Sequence, residues 1–173
     1  YIVGNPPMVN WEYLPKDFRD KTINIWQNYQ LFDYKGLKSI FIKEDISSLI
    51  TYISADKYLK NKGYLSFILK ESLIKSPKQA SGFRKFKFQD QNKTTHFCPY
   101  KINDFTNINA FKNVAVKIIS LNLQKNLPIK FPINCDVWKK SSSNKYKIFN
   151  KILLPIIKNN PSSNWLTTEK ESQ

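Results

Sequence analysis

Asn5, Pro6 and Pro7 are the residues of this chain whose types and spacing indicate chemistry, and they follow an apolar run at residues 1–3. Two consecutive prolines supply no N–H and end a strand, which leaves carbonyl oxygens without ladder partners. The Asn5 side-chain oxygen and the Pro6 carbonyl oxygen can both accept hydrogen bonds from an exocyclic amine on a flat ring. Such contacts would direct the lone pair of the amine towards an electrophile. Asn-Pro is also a common turn dipeptide, so a turn without a catalytic role fits the same residues.

The elements that would position this turn are predicted to be helix–strand units of an α/β fold. Asp45 is placed to cap a helix, because apolar residues recur with helical spacing between residues 49 and 59. Gly63 predicts the end of that helix, and residues 64–69 predict a buried strand. Open α/β sheets place their chemistry in loops at the carboxyl ends of strands. We therefore expect the Asn-Pro-Pro turn at such an end, after a buried strand.

Two further strands are predicted at residues 94–107, interrupted by Pro99, and at residues 114–123. We expect them to pair antiparallel and to close the sheet at its edge. From residue 125 onwards prolines and serines become frequent, which is typical of irregular chain, and one short helix is predicted at residues 147–157. The sequence thus predicts a domain at residues 1–125 and an irregular linker at residues 126–173.

The charge balance indicates a polyanionic partner. The chain has 28 basic and 13 acidic residues, a net charge of +15. Nucleic acid is the first expectation and an anionic membrane surface the second, whereas a Lys-rich and Asn-rich genome would give the same composition. Residues 82–88 alternate aromatic and basic side chains, which fits either a nucleic-acid surface containing Arg84 and Lys85 or a half-buried strand. Trp11, beside the turn, fits either a lip over an extruded nucleotide or a core aromatic residue.

Several classes of site are not expected. Cys98 and Cys135 are far apart in sequence, and His96 is the single histidine, so a metal site is not predicted. The sequence contains neither a membrane-spanning apolar run nor a signal peptide, and a reducing cytoplasmic setting is the default expectation. The chain begins with Tyr1 directly in a strand, which is typical of an internal stretch of a longer protein.

The sequence resembles the amino-directed DNA methyltransferases. The resemblance lies in Gly4-Asn5-Pro6-Pro7 after an apolar strand, and the following residues 9–15 resemble the large adenine-specific (N-6) enzymes of restriction–modification and phage-defence systems. It implies part of a Rossmann-like class I methyltransferase sheet, comprising the catalytic-side strands with an antiparallel hairpin at the edge. It also implies that Asn5 and Pro6 hold the amine of a flipped adenine in double-stranded DNA, while Pro7 shapes the loop.

The same resemblance assigns the remaining site residues. Met8 and Phe111 would sandwich the adenine, although the family usually has an aromatic residue where this chain has Met8, and a thioether packs on a ring less well. Asp45 would lie beside the cofactor, S-adenosylmethionine, unless it is only a helix cap. Arg84 would lie on the DNA side.

The cofactor-binding half is not found in the sequence. Its four glycines form no Gly-rich turn, so we expect that half upstream and a target-recognition region downstream in the same parent chain. Methyltransferases of RNA or of protein glutamine share Asn-Pro-Pro and stay open as alternatives. A catalytically inactive, basic nucleic-acid-binding remnant is a further alternative.

Overall fold

The computed structural model describes residues 1–32, 44–77, 79–108, 116–141 and 145–170. The strands are β1 (Ile2–Gly4), β2 (Tyr64–Lys70), β3 (Lys87–Asp90), β4 (Lys93–Asn107), β5 (Ile118–Lys125), β6 (Ile133–Lys140), β7 (Tyr146–Pro155) and β8 (Trp165–Glu169). The helices are α1 (Lys16–Asn28), α2 (Ile46–Ile53), α3 (Ser72–Lys75) and α4 (Ser81–Arg84), with a 3₁₀ turn at Trp11–Tyr13 and a π-helical turn at Ser54–Tyr58. Together they form a mixed α/β structure.

One sheet contains all eight strands, in the order β1-β2-β5-β4-β6-β7-β8, with β3 paired to β4. β1 pairs parallel with β2, and β4 pairs parallel with β6, whereas the other pairs are antiparallel. Along the main order, β5 and β7 therefore run opposite to the rest. The carboxyl ends of β1, β2, β4, β6 and β8 consequently meet at one edge, which we call the carboxyl edge. This partly parallel arrangement is compatible with a Rossmann-like sheet.

The predicted antiparallel pairing of the two middle strands is confirmed, but its predicted position is wrong. β4 and β5 pair antiparallel over residues that include Ile102 and Leu121, and Pro99 shifts the register without ending β4. The pair lies inside the sheet, because β4 also pairs with β6 and β5 also pairs with β2. The edges of the sheet are β1 and β8.

The irregular linker predicted for residues 126–173 is wrong in its secondary structure, since β6, β7 and β8 occupy most of it. The helix predicted at residues 147–157 is strand β7. Pro161 and its neighbouring serines lie between strands rather than replacing them. Trp165 joins this segment to the core: it is fully buried and its ring lies 5.6 Å from Phe86 and 5.1 Å from Phe131.

The core lies on one face of the sheet, where α2 and the aromatic side chains cover β2. Alternate residues of β2 are buried, with Leu65, Phe67 and Leu69 pointing into the core. β1 was predicted to be buried, but only one face of it is covered, and Val3 is 82% exposed. Ile2 packs against the core, whereas Val3 points to the opposite face of the sheet, where the described residues leave it uncovered.

Gly82 is required by a close approach between two backbones. A Cβ at this position would lie 2.2 Å from the carbonyl oxygen of Leu31, so the backbone must move. We expect Gly82→Ala to lower the free energy of unfolding by about 3 kcal/mol, the upper part of the range for overpacking. Thermal unfolding of the chain tests this, with Gln89→Ala on exposed β3 as the control. Equal midpoints for the two variants would contradict the tight contact.

Candidate active site at the carboxyl edge

The Asn-Pro-Pro turn follows β1 directly and lies at the carboxyl edge. Gly4, the last residue of β1, pairs with Phe67, and a Cβ on Gly4 would lie 3.0 Å from the Phe67 ring. Pro6 is buried and anchors the turn, whereas Asn5 is exposed. Among the hydrogen bonds of the described residues, none involves the Asn5 amide. Its oxygen is therefore available to a ligand.

The residues after the turn are held by the start of α2. Ile46 N–H donates to the carbonyl oxygen of Val9 (2.9 Å), and Trp11 N–H donates to that of Glu44 (2.7 Å). Asn10 and Asp45 form an isolated antiparallel bridge. The backbone on the far side of the turn is thus fixed to a helix that packs on β2.

Trp11 lies in the core beside the turn. Its side chain is 5% exposed and makes edge-to-face contacts with the rings of Trp26 and Phe32, with centroids 5.4 Å and 5.2 Å away. This position fits the core interpretation of Trp11, and a contact of Trp11 with DNA stays a prediction. Met8, the next predicted site residue along the turn, is half-buried.

Asp45 caps α2, as its position before an apolar helical stripe predicted. One carboxylate oxygen accepts from the Ser47 N–H (2.9 Å) and hydroxyl (2.6 Å). The other lies 2.6 Å from Nζ of Lys70, which also donates to the Asn10 side chain (3.0 Å). Asp45 is 2% exposed. Both of its oxygens are engaged within the chain, so a ligand would have to displace Ser47 or Lys70.

Arg84 is a structural residue. It is 1% exposed, and its guanidinium donates to three backbone carbonyl oxygens, those of Leu73 (3.0 Å), Gln79 (2.8 Å) and Ser162 (3.0 Å). The structure places its cationic group inside the fold, and a contact of Arg84 with DNA stays a prediction. Lys85, which ends α4, is half-buried. Phe111 lies outside the described residues.

The alternation of aromatic and basic residues at 82–88 marks burial. Phe83, Phe86 and Phe88 all point into the core, whereas Lys87 is exposed. The aromatic side chains therefore face inwards, as the half-buried-strand interpretation predicted. Phe83, however, belongs to helix α4, and only Phe88 belongs to a strand.

The chain shares its fold with parts of two proteins solved with DNA. One is DrdV in its cryo-EM complex with DNA, with a TM-score of 0.53 and 18% identity over 92% of this chain and 18% of that chain. The other is the ATP-dependent Type ISP restriction-modification enzyme LlaBIII bound to DNA, with a TM-score of 0.51 and 13% identity over 95% of this chain and 12% of that chain. The chain thus spans less than a fifth of either protein. No protein-family model matches the chain, and no curated protein matches its sequence.

A second charged group at the carboxyl edge was not predicted from the sequence. Nζ of Lys75, in α3, lies 2.6 Å from Asp104 near the end of β4 and 3.3 Å from Glu71. Burial alone would raise the pKa of Asp104, but hydrogen bonds from Lys75 and Thr106 lower it overall. Burial would likewise lower the pKa of Lys75, but the two carboxylates raise it overall. Nothing in the sequence marks this pair, because its members are 29 residues apart.

Asp104→Asn should destabilise the chain in a pH-dependent manner. Because the Asp104 pKa is lowered in the folded state, its contribution is complete above the unfolded pKa of about 4 and is lost as pH falls through the folded value. The raised pKa of Lys75 keeps the pair charged up to about pH 10. We expect the variant to lose about 2 kcal/mol at pH 7 and the difference from the parent to shrink below pH 4. Urea unfolding at several pH values measures this.

Asp20→Asn is the matched control, since it makes the same change in the exposed Lys16–Asp20 pair. Exposed pairs contribute little, so this variant should unfold like the parent at every pH. A pH-independent loss in Asp104→Asn would show that its effect comes from packing rather than from charge.

The described ranges lack the features of a metal site and of a membrane-spanning helix. Those ranges contain no group of three or more His, Cys, Asp or Glu side chains that could hold a metal ion. Within them no helix has both the length and the apolar character needed to cross a bilayer.

A cavity of about 450 Å³ lies between the end of α1 and β3, lined by residues such as Tyr29, Asp56 and Asp90, and it includes no residue of the turn.

Proposed function

We propose that this chain is the catalytic-side part of a DNA methyltransferase that modifies the exocyclic amine of adenine in a restriction–modification or phage-defence system. The observation that carries the proposal is the exposed Asn5 amide in an Asn-Pro-Pro turn directly after a parallel strand. The similar LlaBIII fold belongs to a restriction-modification enzyme bound to DNA, which favours DNA over RNA or protein glutamine as the substrate.

The sheet order supports the proposal. In β1-β2-β5-β4 only β5 is reversed, which is the arrangement expected of the catalytic-side strands of a class I methyltransferase sheet. β1 then carries the catalytic turn at its carboxyl end, where open α/β sheets bind their ligands. Strands β6, β7 and β8 extend the sheet beyond β4, and the ends of β6 and β8 lengthen the carboxyl edge.

The turn acts on the amine by positioning and polarisation. The Asn5 side-chain oxygen and the Pro6 carbonyl oxygen accept one hydrogen bond each from the adenine –NH₂ group. These bonds fix the nitrogen and stabilise the positive charge that it gains as it reacts. Adenine has to leave the duplex to reach the turn. Met8 packs on one face of the base, and Phe111 is assigned to the other face by the resemblance.

The proposal places the site for S-adenosylmethionine, which supplies an electrophilic methyl group, outside the described residues. The four glycines of the sequence make no Gly-rich turn, and Asp45 is engaged by Ser47 and Lys70. The proposal therefore assigns the donor site and the target-recognition region to other parts of a longer protein.

The proposed activity is tested with the longer protein, labelled S-adenosylmethionine and plasmid DNA, followed by analysis of the nucleosides. We expect label in N6-methyladenine and none in RNA or in protein glutamine. DNA binding without binding of the donor would instead support the inactive, basic binding module. That alternative is favoured by Met8 and by the net charge of +15.

A further inference from the structure

The hairpin formed by β6 and β7 carries a concentration of lysines at the carboxyl edge. Four of its lysines are exposed and lie where β6 ends and β7 begins: Lys139, Lys140, Lys145 and Lys147. β6 runs parallel to β4 and ends at the edge where β1 ends. The end of β6 and the Asn-Pro-Pro turn therefore lie at the same edge of the sheet.

Two of these lysines face each other across the hairpin. Lys139 and Lys147 are direct cross-strand partners, and like charges in this arrangement are destabilising. None of the four lysines belongs to an ion pair found within the described residues. Nζ of Lys139 is instead 5.0 Å from the centroid of the Phe149 ring. The fold thus holds a repulsive pair of cations that an anion would stabilise.

Other lysines of the same sheet have carboxylate partners. Lys101 lies 2.6 Å from Asp136, and Lys151 pairs with Glu169. Lys139 and Lys151 both line a shallow cavity of about 220 Å³ that also contains the Lys75–Asp104 pair. In this cavity Lys139 is the lysine without a carboxylate partner among the described residues.

The hairpin lies within reach of a duplex whose adenine occupies the turn. Four strand spacings separate β1 from β6 in the sheet, which corresponds to roughly 19 Å. At 3.4 Å per nucleotide along one strand of DNA, this distance is about six nucleotides. A phosphate backbone that passes the turn can therefore also pass the hairpin.

We propose that the four exposed lysines of the β6–β7 hairpin bind backbone phosphates of the DNA whose adenine enters the turn. This inference rests on the proposed function for its partner. Lysine ammonium groups bind phosphates as point charges and do not read sequence. The hairpin positions the duplex without selecting its recognition site.

The test is the salt dependence of DNA binding by the longer protein that carries the double substitution Lys139→Gln and Lys147→Gln. Each lost phosphate contact reduces the slope of log K against log salt by about one. We expect the slope to fall by about two and the affinity at 0.1 M salt to fall roughly tenfold or more. The loss should be equal for cognate and non-cognate duplexes.

The matched control is Lys60→Gln with Lys93→Gln, which removes the same charge from exposed lysines near the amino ends of β2 and β4. An unchanged slope in this control, with a reduced slope in the hairpin variant, supports the proposal. Equal slopes in both variants, or a hairpin that binds RNA in preference to duplex DNA, would overturn it. Absence of N6-methyladenine together with a reduced slope would refute the proposed methylation alone.

Discussion

Asn5→Ala in the longer protein should reduce adenine methylation by on the order of 100-fold or more, the loss typical of removing one pre-positioned hydrogen-bonding group from a transition state. The substitution removes the oxygen that accepts from the amine and changes little else, because Asn5 is exposed and no described hydrogen bond involves its amide. The measurement is single-turnover formation of N6-methyladenine on a duplex substrate. DNA affinity and the unfolding midpoint should stay at the parent values.

Two comparison variants separate the loss of the hydrogen bond to the amine from a general effect of substitution. Asn5→Asp keeps an acceptor oxygen at the same position, so it should retain more activity than Asn5→Ala. Asn24→Ala makes the same change on the exposed side of α1 and should leave activity unchanged. Full methylation by Asn5→Ala would mean that the turn has no catalytic role, and it would remove the basis of the proposed function.

The local elements around the turn could be predicted because their determinants lie close together in sequence. Asp45 caps α2 through Ser47, two residues away, and Gly63 immediately precedes β2. The antiparallel β4–β5 pair joins strands that are consecutive in the chain. Each of these features depends on propensity and spacing within about 30 residues, for which sequence patterns carry real information.

Burial of individual aromatic and basic residues could not be predicted in the same way. Trp11 and Arg84 have the types expected of a DNA-binding surface, but packing with distant residues decides their roles. Trp11 is covered by Trp26 and Phe32, and Arg84 reaches Ser162, which is 78 residues away. A single sequence contains no local sign of either contact.

The strands of the last third were missed because turn-forming residues outweighed a weaker strand pattern. Prolines and serines lie at the ends of β6, β7 and β8, so they mark the limits of strands. Most residues of β7 are at least partly exposed, and its alternation of apolar and polar residues is therefore faint. Pairing with β6 on one side and β8 on the other stabilises it, and this pairing is visible only in the fold.

Replacing Arg84 should cost more stability than any other single change considered for this fold. In Arg84→Met the apolar stem is kept, but the buried carbonyl oxygen of Leu73 and the part-buried ones of Gln79 and Ser162 lose a donor. A hydrogen bond to a charged group contributes about 1.5–3 kcal/mol, so the loss of three such bonds should cost about 3–5 kcal/mol in total. For a chain of this length, that loss corresponds to a decrease in the unfolding midpoint of roughly 10 °C. Calorimetry or circular dichroism of the chain measures it.

The control for Arg84→Met is Lys87→Met, which removes a cation of the same segment from an exposed position in β3. Its midpoint should stay within about 2 °C of the parent, because surface substitutions rarely exceed 0.5 kcal/mol. The DNA-contact hypothesis predicts the reverse pattern for Arg84→Met: an unchanged midpoint and a reduced salt dependence of DNA binding. Since Arg84 connects α3, the segment before α4 and the segment before β8, its loss should loosen the attachment of the last strand to the core.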